Sequence, residues 1–378
     1  MNIHFISINT LTNIPSVRFI ADFFIKKYKT SVIITERALK NENNYYSENK
    51  NIIFDNIDEN INLKDFKKQS VFQKIKKYYS LIKKTSKILK SKQNTVIISP
   101  DFQVLFFVFF IKHFSKNNKT KVIYLQFELF EYPGKLNNYL YKKILAHADK
   151  IDLAIFPEKN RKKHFYAECK KKPKQFFILP NTCEPIELKN KIKRHSVLSS
   201  VPEDALIIGH VGNVGGTDHF FSEIIKAAEI LVKENIYFIF IGNQSDKVKK
   251  IKKTIKNKKI LFFDKIPHQE LSEIYPFFDL GLILYKGITP NFEFAAPNKL
   301  YEYWAYGIPV LAHKLKGLAD VFKKDYMGYL IDMQNEKEII ETIISFKKQQ
   351  YDKNNIKNYF NENLKISLFF EKLDNVLI

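Results

Sequence analysis

The chain has 378 residues, 45% of them hydrophobic, which supports two packed cores and excludes global disorder. Its 62 Lys and Arg against 40 Asp and Glu give a formal charge of +22. That favours an anionic partner, although Lys, Asn, Ile and Phe are also what an AT-rich genome over-supplies. Its two cysteines, Cys169 and Cys183, exclude a disulfide scaffold and a Cys-rich metal site.

Taken from the N-terminus, residues 3–8 read as a buried strand and not as a signal peptide. No basic stretch precedes them and no small-residue cleavage site follows. Short apolar runs recur at 31–35, 95–99, 121–125, 153–156 and 176–179. Runs of this length suit strands buried on both faces of a parallel sheet. Within 66–89, Phe72, Ile75, Tyr79, Ile82 and Leu89 follow helical spacing, with Lys74, Lys76, Lys77, Lys83 and Lys84 between them. Two readings fit: a basic amphipathic helix lying on an anionic membrane, or a packed helix with a solvated lysine face. The longest apolar run, 104–111, is far short of the roughly 20 residues that span a bilayer.

The alternation pauses at 184–202, a polar and basic stretch with Pro185 and Pro202 at its ends that reads as a linker or an insertion at the domain boundary. Apolar runs resume at 206–211, 237–241, 260–263, 280–284 and 310–312, with helical spacing in 222–233 and 269–278. Strand and helix alternating this often predict an α/β protein with two Rossmann-like, doubly wound parallel-sheet domains. The expected division is 1–184 and 185–364, with a C-terminal helix at about 365–378 packing back on the first domain. Ligands would bind in a cleft, outside the carboxyl ends of the strands.

Residues 279–313 carry the densest signal. A strand ends in a long loop, Pro297 stands where a first-turn proline would, and 298–306 form a short helix stopped by Gly307. A helix N-terminus after a strand's carboxyl end is a ready anion site. Lys299 can lie against a phosphate, and Glu302, one turn in, can accept two hydrogen bonds from a ribose diol. A polar loop before a merely packed helix has the same spacing.

Residues 296–312, APNKLYEYWAYGIPVLA, resemble the donor-site signature of GT-B glycosyltransferases of the family 4-like group (glycosyl transferases group 1). FILPN at 177–181, IIGHVG at 207–212, FIGN at 240–243 and residues 149–161 and 266–279 fall in the matching order. The likeness covers most of the chain and is specific from about residue 149 onward. It implies a nucleotide-sugar donor held by Pro297, Asn298, Lys299, Leu300 and Glu302. The stretch 212–219 has no Arg or Lys. Phosphate charge then rests on Lys299, on the backbone around Gly212, Gly215, Gly216 and Thr217, and on Lys265. The same glycines also suit a plain tight turn.

In that family two glutamates enclose seven residues. Here Glu293 and Glu302 enclose eight, and Phe294 holds the seven-residue position. The resemblance also places a reactive side chain after 121–125, where relatives often carry His. This chain offers Glu128, with Glu131 in reserve, as the carboxylate that takes the acceptor proton or balances a cationic transition state. A capping or salt-bridging glutamate is the other reading. Arg18 and Arg161 would face the acceptor, and Arg161 reads equally as an exposed helix residue. The implied catalytic set is Glu128, Lys299 and Glu293.

The expected activity is retaining transfer to a hydroxyl of a saccharide or lipid-linked saccharide, as in bacterial capsule or lipopolysaccharide synthesis. No cofactor beyond the nucleotide-sugar and no nucleic acid is expected. The location would be cytoplasmic, peripheral on the inner face of the membrane. No Asp-x-Asp, zinc-spaced His/Cys set or P-loop occurs, so a metal-independent enzyme is expected. His210, just before the glycine turn, stands out among nine histidines. Two alternatives remain: a nucleic-acid-binding protein, suggested by charge alone, and a GT-B nucleotide-sugar epimerase, whose His-Arg-Glu-Asn signature is missing.

Overall fold

Apolar runs become parallel strands, and amphipathic segments become the helices that cover them. The computed structural model describes residues 2–9, 11, 14–36, 50–55, 57, 71–90, 93–114, 119–129, 134–185, 193–349 and 351–377. Glu131 and the side chains of Phe72, Lys74 and Ile75 lie outside the described residues. The chain divides into two units, residues 1–180 with 370–378, and residues 181–369.

The first unit runs β1 (Asn2–Ile6), α1 (Pro15–Tyr28), β2 (Val32–Thr35), β3 (Ile52–Phe54), α2 (Val71–Leu89), β4 (Thr95–Ser99), α3 (Phe102–Phe114), β5 (Thr120–Leu125), α4 (Lys135–Ala146), β6 (Leu153–Phe156), α5 (Lys159–Glu168) and β7 (Gln175–Ile178). Its seven described strands are parallel, in the order β3-β2-β1-β4-β5-β6-β7. Every residue of β4 and β6 is buried, as a sheet covered on both faces requires. On one face α2, α3 and α4 lie side by side. Tyr78 meets Phe107 at 5.7 Å, and Phe102 meets Tyr141 edge-on at 5.4 Å. Toward the other end of the chain, Phe370 stacks on Phe23 of α1 at 4.8 Å and Asp374 pairs with Lys27 at 2.6 Å.

The second unit holds β8 (Leu206–Val211), α6 (Phe221–Ile230), β9 (Ile236–Ile241), α7 (Asp246–Lys252), β10 (Ile260–Phe263), β11 (Leu280–Ile283), α8 (Pro290–Glu293), α9 (Asn298–Ala305), β12 (Val310–His313), α10 (Lys316–Ala319), β13 (Gly328–Ile331), α11 (Glu336–Lys348) and α12 (Lys353–Asn363). Helix α13 (Ile366–Leu377) ends the chain. The second sheet is also parallel, ordered β10-β9-β8-β11-β12-β13. Glycines in its central strands make room for aromatic rings. A Cβ on Gly209 would stand 2.0 Å from the Phe278 ring, and one on Gly281 would stand 2.5 Å from Tyr303.

Two sequence expectations change. The segment 269–278 forms two short 3-10 turns, not an α-helix. In α2 the buried stripe contains Leu81, Thr85 and Leu89, while Tyr79 and Ile82 face solvent. The expected apolar face was displaced around the helix because Tyr and Ile were counted as core wherever they kept period.

Candidate active site

The second unit gathers its chemistry at the carboxyl ends of β8 and β11 and at the start of α9. Asn181 donates to the Ala296 carbonyl at 2.7 Å and fixes the loop before that helix. Pro297 flanks its first turn and makes no side-chain cap, so the leading N–H groups stay available to an anion. Lys299 reaches back from this turn to β8. Its Nζ lies 3.0 Å from where a Gly212 Cβ would stand and 5.6 Å from the Tyr285 ring centroid. Gly212 has φ 125°, a conformation that glycine adopts readily. Desolvation pushes the Lys299 pKa down to about 8, and the Glu302 carboxylate pulls the other way.

Beyond Gly212 the chain turns tightly. Gly215 has φ 71°, its carbonyl accepts from Ser245 at 2.6 Å, and its Cβ would strike Val248 at 2.1 Å. Gly216 lies against His219, and Thr217 is exposed and donates to Asp218. His219 packs on Tyr285 at 5.3 Å. Desolvation and Lys299 push the His219 pKa down to about 4. His210 is fully buried beneath the turn, with Nδ1 3.1 Å from the Leu282 carbonyl and Nε2 3.1 Å from the Asn213 carbonyl. Its pKa is driven well down by burial and by Lys299.

Glu302 sits one turn into α9 and accepts from the Tyr275 hydroxyl at 2.8 Å. Its other oxygen meets His268 Nε2 at 3.3 Å, and that ring is 70% exposed. Leu300 is buried in the core beneath the helix. Tyr303 ties the same helix to β8, accepting from the Val211 N–H at 3.2 Å and donating to the Gly209 carbonyl at 3.3 Å. Lys299, Gly212 and the first turn of α9 therefore come together, with Glu302 one turn on. Lys265 is exposed, just after β10. Glu293 ends α8, with Lys316 at 3.3 Å and the Gly287 turn beside it.

Sequence reasoning passed over Tyr285, His219, Tyr275 and His268. Tyr285 had a signal, since it lies two residues past β11, at the strand end where such sheets bind ligands. His268 and Tyr275 had none, because they reach Glu302 from turns that the pattern read as helix.

In the first unit, Glu128 is exposed in the loop after β5. Arg161 is buried, and its guanidinium donates to the Phe127 carbonyl, so it latches the loop that carries Glu128. Glu158 caps α5 through the N–H groups of Asn160 and Arg161. Arg18 is half-buried on α1, near Asp22. Two carboxylates that sequence reasoning missed hold the loop after β1. Asp101 accepts from Ser7, from the Ile8 N–H at 2.8 Å and from Asn9 at 3.2 Å, and Glu36 accepts from the Leu11 N–H.

Residues 191–363 match the family model for glycosyl transferases group 1. No curated protein sequence matches the chain. Among solved structures, Anabaena HepE in complex with UDP is 13% identical with a TM-score of 0.71, covering 100% of this chain and 99% of its own. The apo lipopolysaccharide outer core galactosyltransferase WaaB is 13% identical with a TM-score of 0.68 and the same coverage. An E. coli trehalose-6-phosphate protein bound with UDP-2-fluoro glucose is 12% identical, again with a TM-score of 0.68, covering 100% and 99%. The chain has the two-domain, Rossmann-like GT-B fold, and residues 191–363 of its second unit carry the likeness to the glycosyl transferases group 1.

Proposed function

We propose that the protein transfers a sugar from a uridine diphosphate sugar to a hydroxyl of a saccharide or lipid-linked saccharide, with retention at the anomeric carbon. One observation carries this reading: the Lys299 ammonium lies against the side-chain-free Gly212 at the uncapped start of α9, with Glu302 one turn on. The space beside Gly212 takes the diphosphate. As the glycosidic bond to the leaving phosphate breaks, negative charge grows on the diphosphate. Lys299 and the first-turn N–H groups stabilise it without reorganising. Glu302 accepts from the ribose hydroxyls in place of its contact with His268. Glu128 takes the acceptor proton.

HepE bound to UDP and the E. coli protein bound to UDP-2-fluoro glucose support the donor class. WaaB, a lipopolysaccharide galactosyltransferase, supports a role in bacterial surface polysaccharide synthesis at the inner face of the cytoplasmic membrane. Calorimetry with UDP tests the site. Glu302→Gln and Lys299→Met should each weaken binding by about 1–3 kcal/mol while the protein stays folded, because each loses charge-assisted hydrogen bonds. Full affinity in both folded variants would refute the assignment.

Turnover needs no divalent metal on this reading. The sequence has no Asp-x-Asp to anchor one, and Lys299 supplies the positive charge. Activity should persist in excess EDTA. Complete loss, restored by manganese or magnesium, would contradict it.

A further inference from the structure

Helices that cover a parallel sheet bury one side and ordinarily turn a polar side to water. Helix α3 does not. All but Gln103, Lys112 and His113 of its 13 residues are apolar. Val104, Leu105, Val108 and Phe109 satisfy the core. On the outer side Phe110 is 57% and Phe114 is 72% exposed, their rings 5.1 Å apart. The flanking helices expose apolar side chains as well. Tyr79 on α2 is 68% exposed, and on α4 Leu136 is 65% and Tyr139 54% exposed. Scattered single apolar residues are ordinary on a protein surface, but others on each side of an outward aromatic pair, over three adjacent helices, point to an interaction site.

The charge on these helices is one-sided. Six lysines lie on α2, one on α3 and three on α4, and none of the three carries an Asp or Glu. Lys76, Lys83 and Lys87 are exposed on the same side of α2 as Tyr79. Lys143 lies 5.3 Å over the Tyr139 ring. Exposed aromatics ringed by lysines match the interfacial region of an anionic bilayer. There the rings enter the headgroup boundary while the ammonium groups stay with the phosphates.

We propose that the outer face of α2, α3 and α4 docks the protein on an anionic membrane. No helix among the described residues is long and apolar enough to cross a membrane, so the contact is one of lying on the surface. Not every lysine takes part. Lys77 is buried and Lys84 pairs with Asp55, so both face inward. The inference stands apart from the transfer reading, because vesicle binding needs no nucleotide.

Co-sedimentation with sonicated vesicles tests it, using phosphatidylglycerol-rich vesicles against pure phosphatidylcholine at low and high salt. The native protein should pellet with anionic vesicles at low salt and stay in solution with neutral ones. Each lysine near the surface contributes roughly fivefold to partitioning, so Lys76→Gln, Lys83→Gln and Lys87→Gln together should lower it on the order of 100-fold. Phe110→Ser with Phe114→Ser should also lower it at least tenfold. Both variant sets replace exposed residues and should keep the native unfolding temperature and UDP affinity. Native protein that stays in solution with anionic vesicles overturns the proposal, as does equal pelleting of both folded variants. A native dimer that becomes monomeric on Phe110→Ser and Phe114→Ser, without vesicle binding, reassigns the face to a second copy of the chain.

Discussion

His210 and Lys299 set the electrostatics of the donor site. Both ring nitrogens of His210 face carbonyl oxygens at 3.1 Å, yet a neutral imidazole donates only one hydrogen. The ring stays neutral because burial and the nearby Lys299 disfavour its charged form. Lys299 is held charged chiefly by Glu302, against its own desolvation. A pKa of about 8 puts its titration within reach of ordinary assays. Below that value the ammonium meets the diphosphate, and above it a neutral amine does. Binding that depends on the ammonium should therefore weaken as pH rises, by about fivefold between pH 8 and 9. Calorimetry of UDP across that range reads the effect, and Lys299→Met should remove it. A native affinity flat to pH 9.5 would mean that the charge on Lys299 plays no part.

At the scale of elements, what the sequence reveals depends on how many faces each element buries. Strands β4, β6 and β11 are buried on every residue, so a plain apolar run marks them. Strand β3 at the edge of its sheet and β13 at the edge of the other carry half-exposed residues and no such run, and both were passed over. The start of α9 was legible because Pro297, the turn residues and Gly307 are local signals. The partners of its side chains were not. Tyr275, His268, Tyr285 and Gly212 reach Lys299 and Glu302 from turns and strands far away in the chain, and no local period encodes such meetings. Arg161 shows the same limit: nothing in its own helix says that its guanidinium holds Phe127. Helix α3 carried no assignment, since an apolar run of that length serves a buried strand and a helix alike.

At the scale of the whole molecule the two units should respond differently to acid. In the second unit the His219 pKa is pushed down to about 4 and burial drives that of His210 well down, so both stay neutral when folded. Their folded pKa values lie below the unfolded value, so their contribution is complete above about pH 6.5 and is lost as pH falls. Going from pH 7.5 to 5 costs about 2 kcal/mol through His219, and His210 acts in the same direction. In the first unit His4, at about 4, acts in the same direction, but burial raises the pKa values of Asp101 and Glu158. Those carboxyls are relieved as they protonate, which works against the effect of His4. The second unit should be the acid-labile half. The chain's single tryptophan, Trp304, makes this measurable. It is fully buried in α9 and donates to the Met327 carbonyl at 3.0 Å, so its fluorescence follows the second unit alone. Between pH 7.5 and 5 the fluorescence-detected midpoint should fall by roughly 5 °C or more, a size expected for a domain of this length. The far-UV signal of the first unit should move less. Replacing both histidines, His210→Asn with His219→Asn, should remove most of the difference in slope. A fluorescence midpoint unchanged at pH 5 would show that the two rings are already protonated in the folded protein.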